Sequence, residues 1–277
     1  MGLRIATNLP SLAAQRSMSG TGREMSKTFA QLSSGSRITK AADDAAGLSI
    51  SEGLKSHIRG YQQAGRNAAD GISMVQTAEG GLGEISNILT RFRELGVQAA
   101  SDTIGDGERE FIDKEVQQLK NESERISKST RFGRTQLLDG TGGDFGFQVD
   151  INNDDFNDRI GYNASEQNAS NSNLGIASLD FKSKEGARDA LEVIDKAQTQ
   201  VNGFRATLGA IQNRLISTSD VIAVSTENLS AANSRIRDTD IAAATAELSK
   251  NQIMQSASVS VLAQANASSQ MALKLVG

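Results

Sequence analysis

Cysteine and tryptophan are absent from this 277-residue chain, and histidine and proline occur once each. Without cysteine there are no disulfides, no thiolate metal sites and no cysteine nucleophile. A lone His57 excludes a multi-histidine zinc cage and any relay between two imidazoles. Aromatic residues make up 4% of the chain, which argues against a dense aromatic core. No apolar run reaches the roughly 18 residues that a membrane span needs, so no membrane insertion is predicted. At average usage roughly a dozen more prolines would be present. Helix interiors exclude proline, so the shortage predicts long helices. The 29 Lys+Arg against 33 Asp+Glu leave a net charge of −4, which disfavours nucleic acid as a partner. Residues Met1 to Pro10 show neither an apolar h-region nor a cleavage site, predicting no cleaved Sec-type signal. The missing cysteine fits both the cytosol and an exported protein that avoids cross-linking.

What is present is a heptad register. Alternate steps of four and three from Ile50 reach Leu54, His57, Tyr61, Ala64, Ala68, Gly71, Val75, Ala78, Leu82, Ile85, Leu89, Phe92, Gly96 and Ala99. Nearly every stop is apolar or small, while Lys55, Arg59, Arg66, Glu84 and Arg93 fall off the seam. The pattern predicts a coiled-coil helix from about Asp44 to Ala100, ~85 Å long. A second seam runs through Ala187, Ala190, Ile194, Ala197, Val201, Phe204, Leu208, Ile211, Leu215, Thr218, Ile222, Ser225, Leu229, Ala232 and Ile236. Two seams of matching length bury against each other or against a partner. Ile112, Val116, Leu119 and Ile126 mark a shorter helix between them, for which Asp106 is the candidate cap. The fold expected is mainly α: a long antiparallel coiled-coil bundle with a small β-hairpin region at its outer tip.

That β region is placed at about 132–180. Gly133, Gly140, Gly142, Gly143 and Gly146 punctuate short alternating runs such as Phe145 to Ile151. Residues Asn152 to Asn173, rich in Asn, Asp and Ser, read as exposed loop. Both ends of the chain carry thinner patterns. Leu9, Leu12, Met18, Met25, Phe29 and Leu32 mark one, and Ile241, Leu248, Ile253, Met254, Val259, Val261, Leu262, Met271, Leu273 and Leu275 mark the other. Each is helical by spacing yet too poor in large apolar groups to be stable alone, which predicts ends that fold together on assembly. The domain expectation is therefore 1–43 plus 238–277 as an inner terminal coiled coil, and 44–237 as a rod-like helical shell.

Other motifs have bland readings. Asp150-x-Asn152-x-Asp154 opens like a calcium loop, but Asp155 and Gly161 occupy the positions that require glycine and a bidentate glutamate, so a polar turn is expected. The glycines at 140–146 lack the Gly-Lys-Ser/Thr ending of a phosphate-cradling loop. Met18, Met25, Met74, Met254 and Met271 are spread over several helices rather than gathered in one groove, and read as packing residues. Nothing assembles a nucleophile, a base and an oxyanion site, so no enzyme activity, cofactor or metal is predicted.

Several local sequences resemble the bacterial flagellin family. At the amino-terminal side they are Leu32-Ser-Ser-Gly-Ser-Arg-Ile38, Asp43-Asp-Ala-Ala-Gly-Leu48, Arg66-Asn-Ala-Ala-Asp-Gly-Ile-Ser73, Gln76-Thr-Ala-Glu79, and Arg91-Phe-Arg-Glu-Leu95 with Val97-Gln-Ala99. At the carboxy-terminal side they are Leu208-Gly-Ala-Ile-Gln-Asn-Arg-Leu215, Glu227-Asn-Leu229, Ser234-Arg-Ile-Arg-Asp238 and Leu262-Ala-Gln-Ala-Asn266. The resemblance covers about 1–140 and 185–277. It implies a subunit that polymerises with itself into an open helical filament for motility. Leu9, Leu12, Met25, Phe29, Leu32, Leu248, Ile253, Val261, Leu262, Leu273 and Leu275 would pack subunits in the inner tube. Leu54, Tyr61, Val75, Leu82, Leu89 and Phe92 would form the shell seam with Ile194, Phe204, Leu208, Leu215, Ile222, Leu229 and Ile236.

The same resemblance implies export in unfolded form through the flagellar secretion channel to the cell exterior, without a cleaved signal. It also implies an export chaperone, a filament cap and hook–filament junction proteins as partners. Arg91, Leu95 and Glu115 match positions at which some flagellins meet an animal innate immune receptor. Two other readings stay open on sequence: a hook–filament junction protein, and a secreted coiled-coil adaptor.

Overall fold

The computed structural model describes the backbone of residues 7–276 and side chains as far as Ser268. Leu273 and Leu275, and with them Met271, lie outside the described side chains. Five helices dominate the described residues: α1 (Leu9–Ser34), α2 (Ala45–Ala99), α3 (Asp106–Ser129), α4 (Lys184–Arg237) and α5 (Ile241–Val276). Four short strands, β1 (Arg131–Phe132), β2 (Thr135–Gln136), β3 (Asp144–Gln148) and β4 (Arg159–Asn163), lie between α3 and α4. The chain forms two compact units, Met1–Ser56 with Asn228–Gly277, and His57–Glu227. Residues 43/44 and 237/238, the expected domain limits, fall at the ends of the long helices; the units themselves divide within α2 and α4.

In the unit His57–Glu227, every seam position of α2 from Ala64 to Ala99 is buried. On α4 the seam from Ala187 to Ile222 is buried except for half-buried Phe204 and Thr218. The two helices run antiparallel: Gln198 Nε2 donates to Ser86 Oγ at 2.9 Å, Arg93 pairs with Asp195, and a Cβ at Gly65 would lie 3.6 Å from Ile222. Helix α3 adds Ile112 and Val116 to the same core, with Leu119 and Ile126 packed at its edge. Its N-cap is Gly105 rather than Asp106, and the Glu108 carboxylate accepts the Gly105 N–H at 2.9 Å. Asp106 sits one residue inside the helix, where it pairs with Arg109.

The segment between α3 and α4 is more structured than its composition suggests. Strands β3 and β4 pair antiparallel with Phe145 opposite Tyr162 and Phe147 opposite Ile160. These four side chains pack on the helical core, so 152–173 is not wholly an exposed loop: Asp158, Ile160, Tyr162, Ala164, Gln167 and Ala169 are buried within it. Glycines on α2 admit this segment along the flank of the helix rather than only at its end. A Cβ at Gly60 would meet Ile151 at 2.7 Å, at Gly71 the Phe147 ring at 3.0 Å, and at Gly81 Leu138 at 2.8 Å. Further along, Gly96 faces Phe181 and Leu191.

In the unit formed by the chain ends, the only proline occupies the first turn of α1, where a missing N–H costs nothing. Asn8 caps that helix by accepting the Ser11 N–H at 3.0 Å, and Gly35 closes it at φ 69, in the left-handed region that favours glycine. Asp240 caps α5 by accepting the N–H groups of Ala242 and Ala243. The connectors on either side are joined: Arg37 N–H donates to Arg237 O at 2.6 Å and Thr239 N–H to Gly35 O at 3.0 Å. The Arg37 guanidinium donates to Ile236 O. Asp43 accepts from the Thr39 hydroxyl and from the Thr39 and Lys40 N–H groups, with Lys27 3.5 Å away. These partners, the Thr39 hydroxyl first, hold the Asp43 carboxyl below its ordinary value.

Candidate assembly surface

Helices α1 and α5 approach closely, with Cα atoms within 8 Å of one another. Their direction is antiparallel, since Asn8 Nδ2 donates to Ala265 O at 3.0 Å while the far end of α1 meets the start of α5. Among the described side chains, those buried on these helices are small or polar: Ser11, Ala14, Thr21 and Thr28 on α1, and Ala244, Asn251 and Ala265 on α5. Thr21 and Thr28 return their hydroxyl protons to carbonyls one turn earlier, so they enter a tight seam without unpaired donors.

The large apolar side chains do the reverse. Phe29 is 66% exposed and Ile253 71% exposed, and Leu9, Leu12, Ile241, Val259 and Val261 are exposed as well. Met25, Leu32, Leu248 and Leu262 are half-buried. A helix pair of this kind hides its small residues and presents its large ones. Full cover of each exposed Leu, Ile, Val or Phe is worth about 1.5–3 kcal/mol. Exposed apolar groups in such number on two adjacent helices mark an interaction surface.

The shell-seam candidates separate by unit. Val75, Leu82, Leu89, Phe92, Ile194, Leu208, Leu215 and Ile222 are buried, with Tyr61 and Phe204 packed against them. Leu54, Leu229 and Ile236 are half-buried, while the seam stops Ile50 and His57 are exposed. Among the three candidate receptor residues, Leu95 is only 2% exposed and belongs to the core. Arg91 and Glu115 do lie together at the surface, at 2.9 Å, with Glu94 2.8 Å from the same guanidinium. Bonds to Glu94 and then Glu115 hold the Arg91 guanidinium above its ordinary value.

The polar turn at 150–158 is internally bonded. Asp154 Oδ1 accepts from the N–H groups of Phe156 and Asn157, and Asp158 Oδ2 accepts from Asp154 N–H. Sequence reasoning missed Arg109, whose buried guanidinium donates to Ala99 O at 2.9 Å, Ser101 O at 3.0 Å and Asp106 Oδ1 at 2.7 Å. An arginine one turn into a helix reads as a solvated charge, and only its position beside the end of α2 reveals the role. No helix among the described residues is long and apolar enough to cross a membrane.

Comparison with known proteins covers both halves of the chain. Residues 5–142 match a family model described as the bacterial flagellin N-terminal helical region, and residues 191–276 match one described as the bacterial flagellin C-terminal helical region. The chain is 40% identical over 269 residues to a flagellin of Halalkalibacterium halodurans, covering 97% of this chain and 98% of that protein. It is 38% identical over 287 residues to a flagellar filament core protein of Brachyspira hyodysenteriae, covering 98% and 99% respectively. The crystal structure of Bacillus cereus flagellin superposes with a TM-score of 0.50 at 32% identity, covering 56% of this chain and 88% of that one.

Proposed function

The chain belongs to the bacterial flagellin family, and we propose that it builds the flagellar filament through the surface of its terminal unit. It is a structural filament subunit. The observation that supports this route is the distribution of side chains on α1 and α5. Small and polar groups are spent inside the chain, which leaves Leu9, Leu12, Phe29, Ile253 and Val261 for neighbouring copies. Each copy would cover its neighbours' exposed groups through different faces of the same helices. Such heterologous contacts do not close on themselves and extend as an open helical tube. The apolar area gained offsets the entropy of fixing the ends.

On this reading the filament is extracellular, and the subunit reaches it unfolded through the export channel. A chaperone would shield the carboxy-terminal segment before export, because the exposed apolar groups of α5 would otherwise associate in the cell. A cap would fold arriving subunits at the tip, and hook–filament junction proteins would offer the first copy a matching surface. An innate receptor would meet Arg91 and Glu115, with Leu95 acting from beneath.

The test is a pair of variants, Phe29→Asp and Ile253→Asp, in the full chain. Both sites are exposed in the single subunit, so helicity by circular dichroism should persist while sedimentable filaments are lost. Filaments formed at wild-type protein concentration by both variants would overturn this route of assembly.

A further inference from the structure

The outward side of α4 carries branched apolar residues away from its buried seam. Ile216 is 42% exposed, Val224 58% and Val221 62%, while Leu215 and Ile222 beside them are buried. At 3.6 residues per turn, Ile216, Asp220, Val221 and Val224 share one side of the helix, with Arg214 at its margin. β-branched residues are weak helix formers, so local propensity gives no reason to set three of them in solvent. An exposed apolar patch of this kind marks a contact surface.

A matching knob stands on α3 of the same unit. Phe111 is 68% exposed, with the Lys114 ammonium 5.3 Å from its ring centre and exposed Glu110 beside it. The charges are complementary: Arg214 and Asp220 lie at the α4 patch, and Glu110 and Lys114 flank Phe111. None of these four is paired with an opposite charge among the described residues. Arg214 and Asp220 are ~9 Å apart along α4, and Glu110 and Lys114 ~6 Å apart along α3, a mismatch that flexible side chains span.

The knob and the patch do not meet within one chain. Arg91 pairs with Glu115 and Arg109 donates to Ala99 O, which sets Phe111 beside the end of α2. Through the Arg93 and Asp195 pair, that end lies level with about residue 190 of α4. The patch is centred about thirty residues further along, or ~45 Å away. An occupant with the Phe111 chemistry is therefore a second copy.

We propose that Phe111 of one copy seats against Ile216, Val221 and Val224 of the next, with Glu110 facing Arg214 and Lys114 facing Asp220. Lys114 leaves the ring it covers for a carboxylate, so docking frees the apolar face of Phe111 as it pairs the charge. Knob and patch differ, so the contact is heterologous and extends rather than closes. It joins copies through His57–Glu227, in addition to the route through the terminal helices.

The absence of cysteine supplies the probe. Filaments of the double variant Phe111→Cys with Val221→Cys are treated with a short bismaleimide and run on a denaturing gel. The expected result is a ladder of dimers, trimers and longer covalent chains. A mixture of the two single variants should stop at dimers, and either one alone should stay monomeric. Filaments whose double variant gives no ladder overturn the proposal, as do dimers from one single variant, because like faces would then be meeting. A charge exchange covers the case of cysteine chains that do not polymerise. Arg214→Glu and Glu110→Arg should each raise the critical concentration about five-fold, and the two together should restore it. Single variants that match wild type, or a double variant no better than either, overturn the proposal. These readouts stand apart from the Phe29 and Ile253 variants, so failure of the terminal route is seen there and not here.

Discussion

Gly81 lacks a side chain where Leu138 needs the room: a Cβ there would lie 2.8 Å from the leucine methyl and 2.6 Å from Thr130 Oγ1. Its neighbour Gly80 has nothing within 4 Å of the same construction. The two glycines therefore carry opposite predictions. Gly80→Ala should stabilise the chain by about 0.5–1 kcal/mol, the helix-propensity gain of alanine over glycine. Gly81→Ala should lose more than that gain, with a net cost of about 1–3 kcal/mol from overpacking. Urea unfolding of the monomer by circular dichroism compares them directly, and equal midpoints for the two variants would refute the assignment of Gly81 as a packing site.

Arg109 joins the end of α2 to the start of α3. Its guanidinium takes up two carbonyls, Ala99 O at the last turn of α2, where no further helical N–H follows, and Ser101 O just beyond the helix. Arg109→Met keeps the stem but removes those donors, and should cost about 1.5–3 kcal/mol. Arg109→Lys should recover little, because a single ammonium cannot span both carbonyls and Asp106 in the fork geometry. Hydrogen exchange at the amides of 99–110 should quicken in both variants while the middle of α4 keeps its protection.

The shell seam was legible because large apolar residues recur at heptad spacing on the same helices that bury them. Val75, Leu82, Ile85, Leu89 and Phe92 are all sealed in the core. The register misled at Ile50 and His57, where the spacing continues but the burial stops. The connecting segment was only half legible. Glycines at 60, 71, 81 and 96 follow no regular period, so nothing in the pattern of α2 says that Ile151, Phe147 and Leu138 lie against it. The runs of Asn and Asp around Tyr162 likewise conceal two buried strand residues, because polar neighbours at alternate positions face out. On the terminal helices the large apolar residues, such as Phe29 and Ile253, stand exposed in the single chain. Their small, hydrogen-bonded seam was not visible, since Thr21 and Thr28 are buried by backbone proximity rather than by hydrophobicity.

The closeness of α1 to α5 depends on that small seam. Ala14 and Ala265 are buried there with methyl groups alone. Ala14→Leu or Ala265→Leu should push the helices apart and destabilise their pairing by about 1–3 kcal/mol. The Asn8 to Ala265 hydrogen bond should weaken with it. Limited proteolysis of the monomer should then cut within α1 or α5 sooner than in wild type, while fragments of 57–227 persist. Unaltered cleavage in both variants would mean that the seam tolerates volume and is not tightly packed.

Acid should loosen the connector at Asp43. Its folded-state pKa is lowered by the Thr39 hydroxyl and the Lys40 N–H, so its contribution is present above the ordinary aspartate value and is lost as pH falls through the lowered one. Asp43→Asn should therefore flatten the acid limb of the stability curve. The comparison is thermal unfolding from pH 6 down to about pH 2, below the ordinary aspartate value, and an unchanged slope in the variant would remove Asp43 from the account.

Alkali acts on Tyr162 with the opposite sense. Burial pushes its phenol from 10.0 to about 12, because the charged form has no partner where it sits. In the unfolded chain the same group ionises near 10, so the folded state holds its proton longer and stability falls as pH rises from about 10 to 12. A shift of that size corresponds to about 2–3 kcal/mol lost across the window. Tyr162→Phe removes the titrating group and should abolish this part of the alkaline loss without breaking a hydrogen bond, because the hydroxyl is buried with no partner among the described residues. Tyrosinate absorbance supplies the independent readout. Tyr61, raised by burial first and then by the nearby Asp150 carboxylate, contributes the other signal, so Tyr61→Phe leaves one titration curve that should centre near 12 in folded protein and near 10 after unfolding. A midpoint at the ordinary value in the folded chain would place the Tyr162 hydroxyl in solvent and remove the reason for this alkaline sensitivity.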